Sequence, residues 1–182
     1  RHIYRFTCQT SPGKDGYVFL SSLRGCVNHR CWVHVENMTF MLDESGIHAF
    51  GAGQDSEPVS QPITDIFDGT NPDWRINWQA SKYFHAAHYA QEEVVRFFVA
   101  LSGQYLPRHA LCFEYRGRRW WIEEYPFPIA SNCQGRLNNI PQVYLGSEAK
   151  RTFAANVGTL DAMDATSGTT RGTATAADLL TL

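Results

Sequence analysis

The chain has 182 residues, of which 43% are hydrophobic, 13% aromatic and 19% charged, and its formal net charge is −2. These values are typical of a folded globular domain and exclude an intrinsically disordered chain. No run of eighteen apolar residues occurs, so the sequence predicts no membrane-spanning helix. We expect a single domain over residues 1–158, followed by a flexible tail rich in Ala, Thr and Gly over residues 159–182.

The N-terminal half has the pattern of a β-rich fold. Short runs of β-branched and aromatic residues are separated by Gly, Pro, Ser and Asp, which favour turns. The predicted strands are residues 2–7, 17–23, 31–36, 38–42 and 47–50. Residues 51–73 contain three prolines and several Gly, Ser and Asp residues, so we expect a long surface loop there.

A helix is expected in the middle of the chain, over about residues 82–102. Ser81 is a suitable N-cap and Gly103 a suitable end. Apolar residues recur between them at steps of three and four or their sums, at Phe84, Ala87, Val94, Phe98 and Leu101. The predicted fold class is therefore α+β: a β-rich N-terminal half, one central amphipathic helix and a C-terminal basic hairpin.

That hairpin is predicted from alternation in residues 110–115, a turn at residues 116–118, and a second strand that begins near Trp120. Antiparallel pairing brings the start of the first strand next to the end of the second. His109 is therefore expected to lie near Glu123 or Glu124, and all three are candidate catalytic residues.

The segment Glu123-Glu124-Tyr125-Pro126-Phe127 resembles the Asp-Glu-Tyr-Pro-Phe hallmark of the NucA/NucB family of secreted and toxin-associated deoxyribonucleases. Arg108 and Cys112 upstream, and Gln134-Gly135 downstream, extend the resemblance to about thirty residues. It implies that Glu123 and Glu124 form the acidic catalytic or metal-binding pair. The implied cofactor is Mg²⁺ or Mn²⁺, which prefer carboxylate oxygen.

Basic and aromatic residues surround this segment and predict a surface for nucleic acid. Arginine side chains contact phosphates, and tryptophan rings stack on bases. The candidate nucleic-acid-binding residues are Arg116, Arg118, Arg119, Arg136 and Trp120. With the carboxylate pair, they predict a nuclease that hydrolyses nucleic acid.

A second interpretation is a cysteine hydrolase. Cys31-Trp32 is similar to the Cys-Trp pair of papain-like proteases, and Glu124 follows His109 by fifteen residues, as an acid that orients a catalytic imidazole would. In this interpretation Cys31 is the nucleophile, His109 the base and Glu124 the orienting acid. A nucleophilic cysteine is favoured at a helix N-terminus, however, whereas residues 31–36 have the pattern of a strand.

The third interpretation is a non-catalytic binding effector, which no motif excludes. Five cysteines in a short chain favour an exported protein with two disulfides and one free thiol. The glycosylation sequon Asn37-Met38-Thr39 agrees with export. We therefore expect a protein that is secreted or delivered into a target cell, with an effector or toxin function.

Two further patterns are weaker. Tyr4-Arg5, Ser21-Ser22 and Gln91-Glu92-Glu93 are loosely similar to the sequence elements of ADP-ribosylating toxins, but only sixteen residues separate Arg5 from Ser21. His85 and His88 have a spacing that some metal sites use on helices, although no third ligand accompanies them.

Overall fold

A computed structural model describes residues 3–7, 16–21, 25–51, 57–148 and 150–155. The strands are β1 (Ile3–Thr7), β2 (Gly16–Ser21), β3 (Trp32–Val35), β4 (Met38–Asp43), β5 (Gly46–Gly51), β6 (Glu57–Pro58), β7 (His85–Tyr89), β8 (Val94–Val99), β9 (His109–Glu114), β10 (Arg119–Glu124), β11 (Ile129–Leu137), β12 (Ile140–Ser147) and β13 (Thr152–Ala154). Between β6 and β7 lie the helix α1 (Thr64–Asp68) and two 3₁₀ helices, Gln61–Ile63 and Trp78–Tyr83. Within these described ranges, no helix is long and apolar enough to cross a membrane. The predicted tail lies outside the described residues.

The predicted central helix, and with it the α+β fold class, is wrong. Residues 82–102 contain the end of the 3₁₀ helix Trp78–Tyr83 and then the strands β7 and β8. All six residues of β8 are buried, so this strand has no exposed face and no alternation of polar and apolar residues. A continuous apolar run fits a buried strand or a buried helix equally well, and here the β-branched and aromatic residues favour the strand.

The strands predicted in the N-terminal part of the chain are confirmed. Residues 3–7, 16–21 and 32–51 contain β1 to β5, close to the predicted bounds. The hairpin of β9 and β10 is also present, and its register pairs His109 with Glu124 and Ala110 with Glu123. The loop predicted over residues 51–73 contains β6, the 3₁₀ helix Gln61–Ile63 and α1.

Three antiparallel sheets follow one another along the chain. The first sheet has the order β3-β4-β5-β6, the middle sheet β7-β8-β9-β10 and the third sheet β11-β12-β13, while β1 and β2 form a separate hairpin. Each sheet is a meander, in which consecutive strands are neighbours. Short turns are therefore sufficient to connect most of the strands.

The inner strands of the middle sheet, β8 and β9, are buried on both faces. One face contributes Val95, Phe97, Val99, Leu111 and Phe113 to a core shared with Phe40, Leu42 and Ile47 of the first sheet. The opposite face contributes Ala87, Tyr89, Phe98, Ala110 and Cys112 to a second core with Ile129, Val143 and Leu145 of the third sheet. This position between two layers explains why β8 is apolar along nearly its whole length.

The first strands of the three sheets, β3, β7 and β11, lie side by side. The amide of Ala86 in β7 donates to the carbonyl of Arg30, just before β3, at 2.8 Å. β7 is also bound by β11, where Asn132 Nδ2 donates to Ala86 O at 3.1 Å and Gln134 Nε2 donates to His88 O at 2.9 Å. Meanders stacked face to face around adjacent first strands have the arrangement of successive blades in a β-propeller.

The two ends of the stacked sheets differ. At one end, the turn end, lie the tight turns between β3 and β4, β7 and β8, and β9 and β10, in which Glu36, Glu93 and Arg118 have φ angles of 54°, 58° and 54°. Arg116 holds these turns together, since it pairs with both Glu36 and Glu93. At the other end, the loop end, lie the starts of β7 and β9 and the longer connections around residues 70–84 and 100–108.

Candidate functional site

The two predicted catalytic glutamates lie on opposite faces of the middle sheet. Adjacent residues of a strand point to opposite sides, so Glu123 faces the third sheet while Glu124 lies beside His109. The Glu123 carboxylate accepts four hydrogen bonds, each of 2.9 Å: two from Arg96, one from Trp121 Nε1 and one from the Tyr125 hydroxyl. Burial opposes its charge, but the hydrogen bonds and charge of Arg96 outweigh burial and hold the pKa of Glu123 below its ordinary value.

This arrangement does not fit a Mg²⁺ or Mn²⁺ site. A hard cation needs several oxygen lone pairs that converge on one point. The Glu123 carboxylate already uses both lone pairs of each oxygen, and Glu124 lies on the other face of the strand. Nor does the part of the chain that the structure describes hold any group of three or more His, Cys, Asp or Glu residues able to bind a metal ion.

His109, the predicted general base, is held in place by groups at the loop end. Its Nδ1 donates to the amide oxygen of Gln104 at 3.2 Å, and its ring lies edge-on to Trp74 with a centroid distance of 5.8 Å. His109 is only 5% exposed, and burial lowers its pKa although the neighbouring Glu124 opposes that effect. The imidazole is therefore neutral near neutral pH, and its Nδ1 proton is used in a structural hydrogen bond.

Cys31, the nucleophile of the alternative interpretation, is fully buried at the entrance to β3. Burial, together with the nearby Cys26, raises the pKa of its thiol well above the ordinary value. A nucleophilic cysteine needs the opposite, a thiolate that is stabilised near neutral pH and accessible to substrate. The structure thus gives Cys31 the environment of a core residue.

This burial predicts low reactivity. We expect iodoacetamide near neutral pH to alkylate the native protein at the exposed Cys133, and to modify Cys31 at least about tenfold more slowly. The measurement is peptide mass spectrometry after timed alkylation, and His109→Ala serves as the control variant. Labelling of Cys31 at the rate of Cys133, slowed by His109→Ala, would instead identify a thiol–imidazole pair.

The arginines of the basic hairpin are largely paired with acidic residues. Arg116 binds Glu36 at 3.1 Å and Glu93 at 2.6 Å, and Arg119 binds Glu114. Such surface pairs reduce the positive field that nucleic acid would meet. The arginines at the turn end therefore face a mixed and locally balanced set of charges.

Trp120 and Arg136 take no part in these ion pairs. The Trp120 ring stacks on Phe113 with a centroid distance of 4.6 Å, and its Nε1 donates to Val59 O at 3.0 Å, so it is a core side chain. Arg136 lies on β11 and lines a cavity of about 390 Å³ between the β7–β8 turn and the β11–β12 hairpin. Trp120 thus lies beside Arg119 with its ring packed in the core, whereas Arg136 lines a different cavity from Arg116, Arg118 and Arg119.

Two important features were missed from the sequence. The first is Arg96, a buried cation within β8, which was assigned to the predicted helix. Its signal is a single arginine inside the apolar run Val94–Val99, because a charge in such a run needs a buried partner. Residues 91–93, one of the weaker patterns, lie in the turn before β8 and not in a helix.

The second missed feature is a pair of exposed aromatic residues at the loop end, Trp74 and Tyr105, here called the aromatic patch. Trp74 contacts His109, and Tyr105 follows Gln104, the hydrogen-bond partner of His109. Trp74 is 39% exposed and Tyr105 is 78% exposed. The backbone below them is fixed by a bridge between Ile76 and Leu101, and Asn77 Nδ2 donates to Gln104 O at 2.7 Å. The patch therefore consists of accessible rings on an ordered support.

No disulfide joins the cysteines that the structure describes, and Cys31, Cys112 and Cys133 carry free thiols. Two disulfides would need four of the five cysteines, so the structure does not contain the predicted pair of bridges. The chain matches no protein-family model and no curated protein.

Proposed function

We infer that the protein is a non-catalytic binding domain built on stacked, propeller-like sheets. The observation that carries this inference is the state of Glu123, the carboxylate at the centre of the nuclease-like segment. All four of its acceptor positions are used by Arg96, Trp121 and Tyr125. A carboxylate saturated by protein donors supports a structural role, because binding a metal ion or activating water would first require breaking those bonds.

The aromatic patch is the surface best suited to binding. Tryptophan and tyrosine contribute most of the affinity in many protein interfaces, because they bury a large area at a small cost in side-chain entropy. Trp74 and Tyr105 are exposed, while His109 and Gln104 beside them offer polar groups. Loops presented by a rigid β-framework commonly recognise partners in this way.

A protein or peptide partner fits this patch better than a nucleic acid does. The paired arginines Arg116 and Arg119 belong to the turn end, whereas the patch belongs to the loop end. The nearest arginine along the sequence, Arg108, donates to the carbonyls of Tyr125 and Pro126 and helps to hold the chain after β10. In this proposal the protein is an effector that is secreted or delivered into a target cell and acts by binding.

Nuclease activity provides the first test. Supercoiled plasmid DNA and single-stranded RNA would be incubated with the protein in Mg²⁺, in Mn²⁺ and in EDTA, with Glu124→Gln as the matched variant. We expect no cleavage above the buffer control in any condition. Cleavage that needs the metal and disappears in Glu124→Gln would contradict a binding role and support a nuclease.

Binding is tested by selecting peptides from a random phage-displayed library on the native protein. The selected peptides are then tested on the variant Trp74→Ala/Tyr105→Ala, and Ile140→Ala, which removes another exposed apolar side chain, is the control. Peptides that bind the native protein should lose at least about tenfold in affinity for the double variant, a loss typical of aromatic anchors. They should bind Ile140→Ala normally. Selected peptides that bind the double variant as tightly as the native protein would exclude the patch.

A further inference from the structure

The segment that leads into β3 folds into a closed loop with a cysteine at each end. The amide of Val27 donates to Leu42 O at 2.9 Å, and the amide of Leu42 donates to Cys31 O at 2.9 Å. One residue of β4 therefore holds both ends of the loop. Because Cys26 immediately precedes Val27, the loop returns Cys26 and Cys31 to the same edge of β4.

Asn28 fixes the interior of this loop. Its carbonyl accepts from the amide of Cys31 at 3.2 Å, and its side-chain oxygen accepts from the amide of Arg30 at 2.6 Å. Its Nδ2 donates to Ser81 O at 2.6 Å and to Phe84 O at 2.9 Å, which ties the loop to the segment before β7. The positions of the two cysteines thus depend on hydrogen bonds to two neighbouring parts of the fold.

The two sulfur atoms also share one environment. Cys31 is fully buried in the core between the first and middle sheets, and Cys26 is half-buried and packs against the same core. The charge of a Cys26 thiolate contributes to the raised pKa of Cys31, as expected for neighbouring thiols. Cys26 is partly accessible to solvent, whereas Cys31 is fully buried.

We propose that Cys26 and Cys31 are a disulfide-forming pair that closes when a low-molecular-weight disulfide such as oxidised glutathione is present. The Cys26 thiolate attacks one sulfur of glutathione disulfide, forms a mixed disulfide and releases one glutathione thiolate. Cys31 then loses its proton to solvent and attacks the Cys26 sulfur, which releases the second glutathione. The protein loses two electrons and two protons, and glutathione disulfide is reduced to two thiols.

The order of these steps follows from burial. Cys31 reacts poorly with a reagent from bulk solvent, but its attack on Cys26 is intramolecular and needs no reagent to enter the core. The raised pKa of Cys31 slows this second step at neutral pH, because little thiolate is present. Closure should therefore accelerate as the pH rises.

The chain itself provides a direct assay. Trypsin cleaves after Arg24, Arg30 and Arg75, so Cys26 and Cys31 fall in separate peptides, residues 25–30 and 31–75. The full-length protein would be oxidised with glutathione disulfide at about pH 8, quenched with acid, alkylated and digested without reductant. We expect a linked pair of these two peptides as the main protein disulfide, and the same pair in Cys133→Ser.

Several outcomes would overturn the proposal. They are a bridge from Cys26 to Cys8 or Cys133, a Cys26 that remains linked to glutathione, or the absence of any disulfide. Because the disulfides are identified in the native chain, the result does not depend on the folding of a variant. Cys26→Ser then provides a second measurement, in which Cys31 should remain reduced after the same oxidation.

Discussion

Replacing Arg96 by methionine is expected to destabilise the protein by about 3–5 kcal/mol, the range found when one member of a buried ion pair is removed. Arg96 is 4% exposed, and its guanidinium lies 3.8 Å from the centroid of the Tyr89 ring. It donates two hydrogen bonds to Glu123 and one to Glu92, each of 2.9 Å. Methionine keeps the apolar stem of the side chain but leaves the Glu123 carboxylate without its cation, and urea unfolding would measure the loss.

Two further variants test whether the loss of stability is specific to the buried Arg96–Glu123 ion pair. Arg119→Met removes the exposed partner of Glu114 and should leave the unfolding midpoint almost unchanged, because solvent screens that pair. Arg96→Met/Glu123→Gln removes both charges and should recover part of the lost stability. Equal effects of Arg96→Met and Arg119→Met would show that the buried pair has no special role.

The predictions of β3 to β5 succeeded because each is a short run of strand-forming residues bounded by turn signals, whereas β8 belongs to a longer apolar pattern that fits a helix as well. In β3 the exposed Trp32 and His34 alternate with the buried Val33 and Val35, and a pattern with a period of two is visible in the sequence. Strand β8 lies between two sheets and has no exposed face. Its sequence was therefore ambiguous, and the stacking of the sheets that resolves the ambiguity depends on contacts between distant residues.

The candidate site likewise depends on contacts between residues that are distant in the sequence. The register of the β9–β10 hairpin was predictable because turn and strand signals are local, and His109 does lie opposite Glu124. The role of Glu123 depends on Arg96, which is 27 residues earlier and on a different strand. A short local similarity to a nuclease motif contains no information about that partner. The exposure of Trp74 and Tyr105 likewise depends on how two separate loops pack.

His85 leads to a prediction about the pH dependence of stability. The imidazole is 2% exposed and stacks on Phe98 with a centroid distance of 4.6 Å. Its Nε2 donates to Ile129 O at 3.0 Å, and its Nδ1 accepts from Asn132 Nδ2 at 2.6 Å, which fixes the neutral tautomer. Burial lowers its pKa to about 4, and the charge of Arg30 acts in the same direction although the bond to Ile129 opposes it.

Because the unfolded chain has an ordinary histidine pKa of about 6.5, it binds a proton between about pH 6.5 and pH 4 that the folded protein does not bind. The stability supplied by neutral His85 is fully present above that range and is lost as the pH falls through it. The expected loss from this group is at most about 3 kcal/mol between pH 7 and pH 4. The lowered pKa values of His88 and His109 act in the same direction, also because burial disfavours their charged forms.

The contribution of His85 can be isolated by urea unfolding of native protein, His85→Gln and His88→Gln at a series of pH values from about 7 to about 4. Glutamine can still donate to Ile129 O but does not titrate, so His85→Gln should be less stable at neutral pH and should lose less stability on acidification. His88 is partly exposed, so His88→Gln should retain most of the pH dependence of the native protein. A pH dependence that is the same in His85→Gln as in the native protein would show that protonation of this histidine does not limit the stability of the fold.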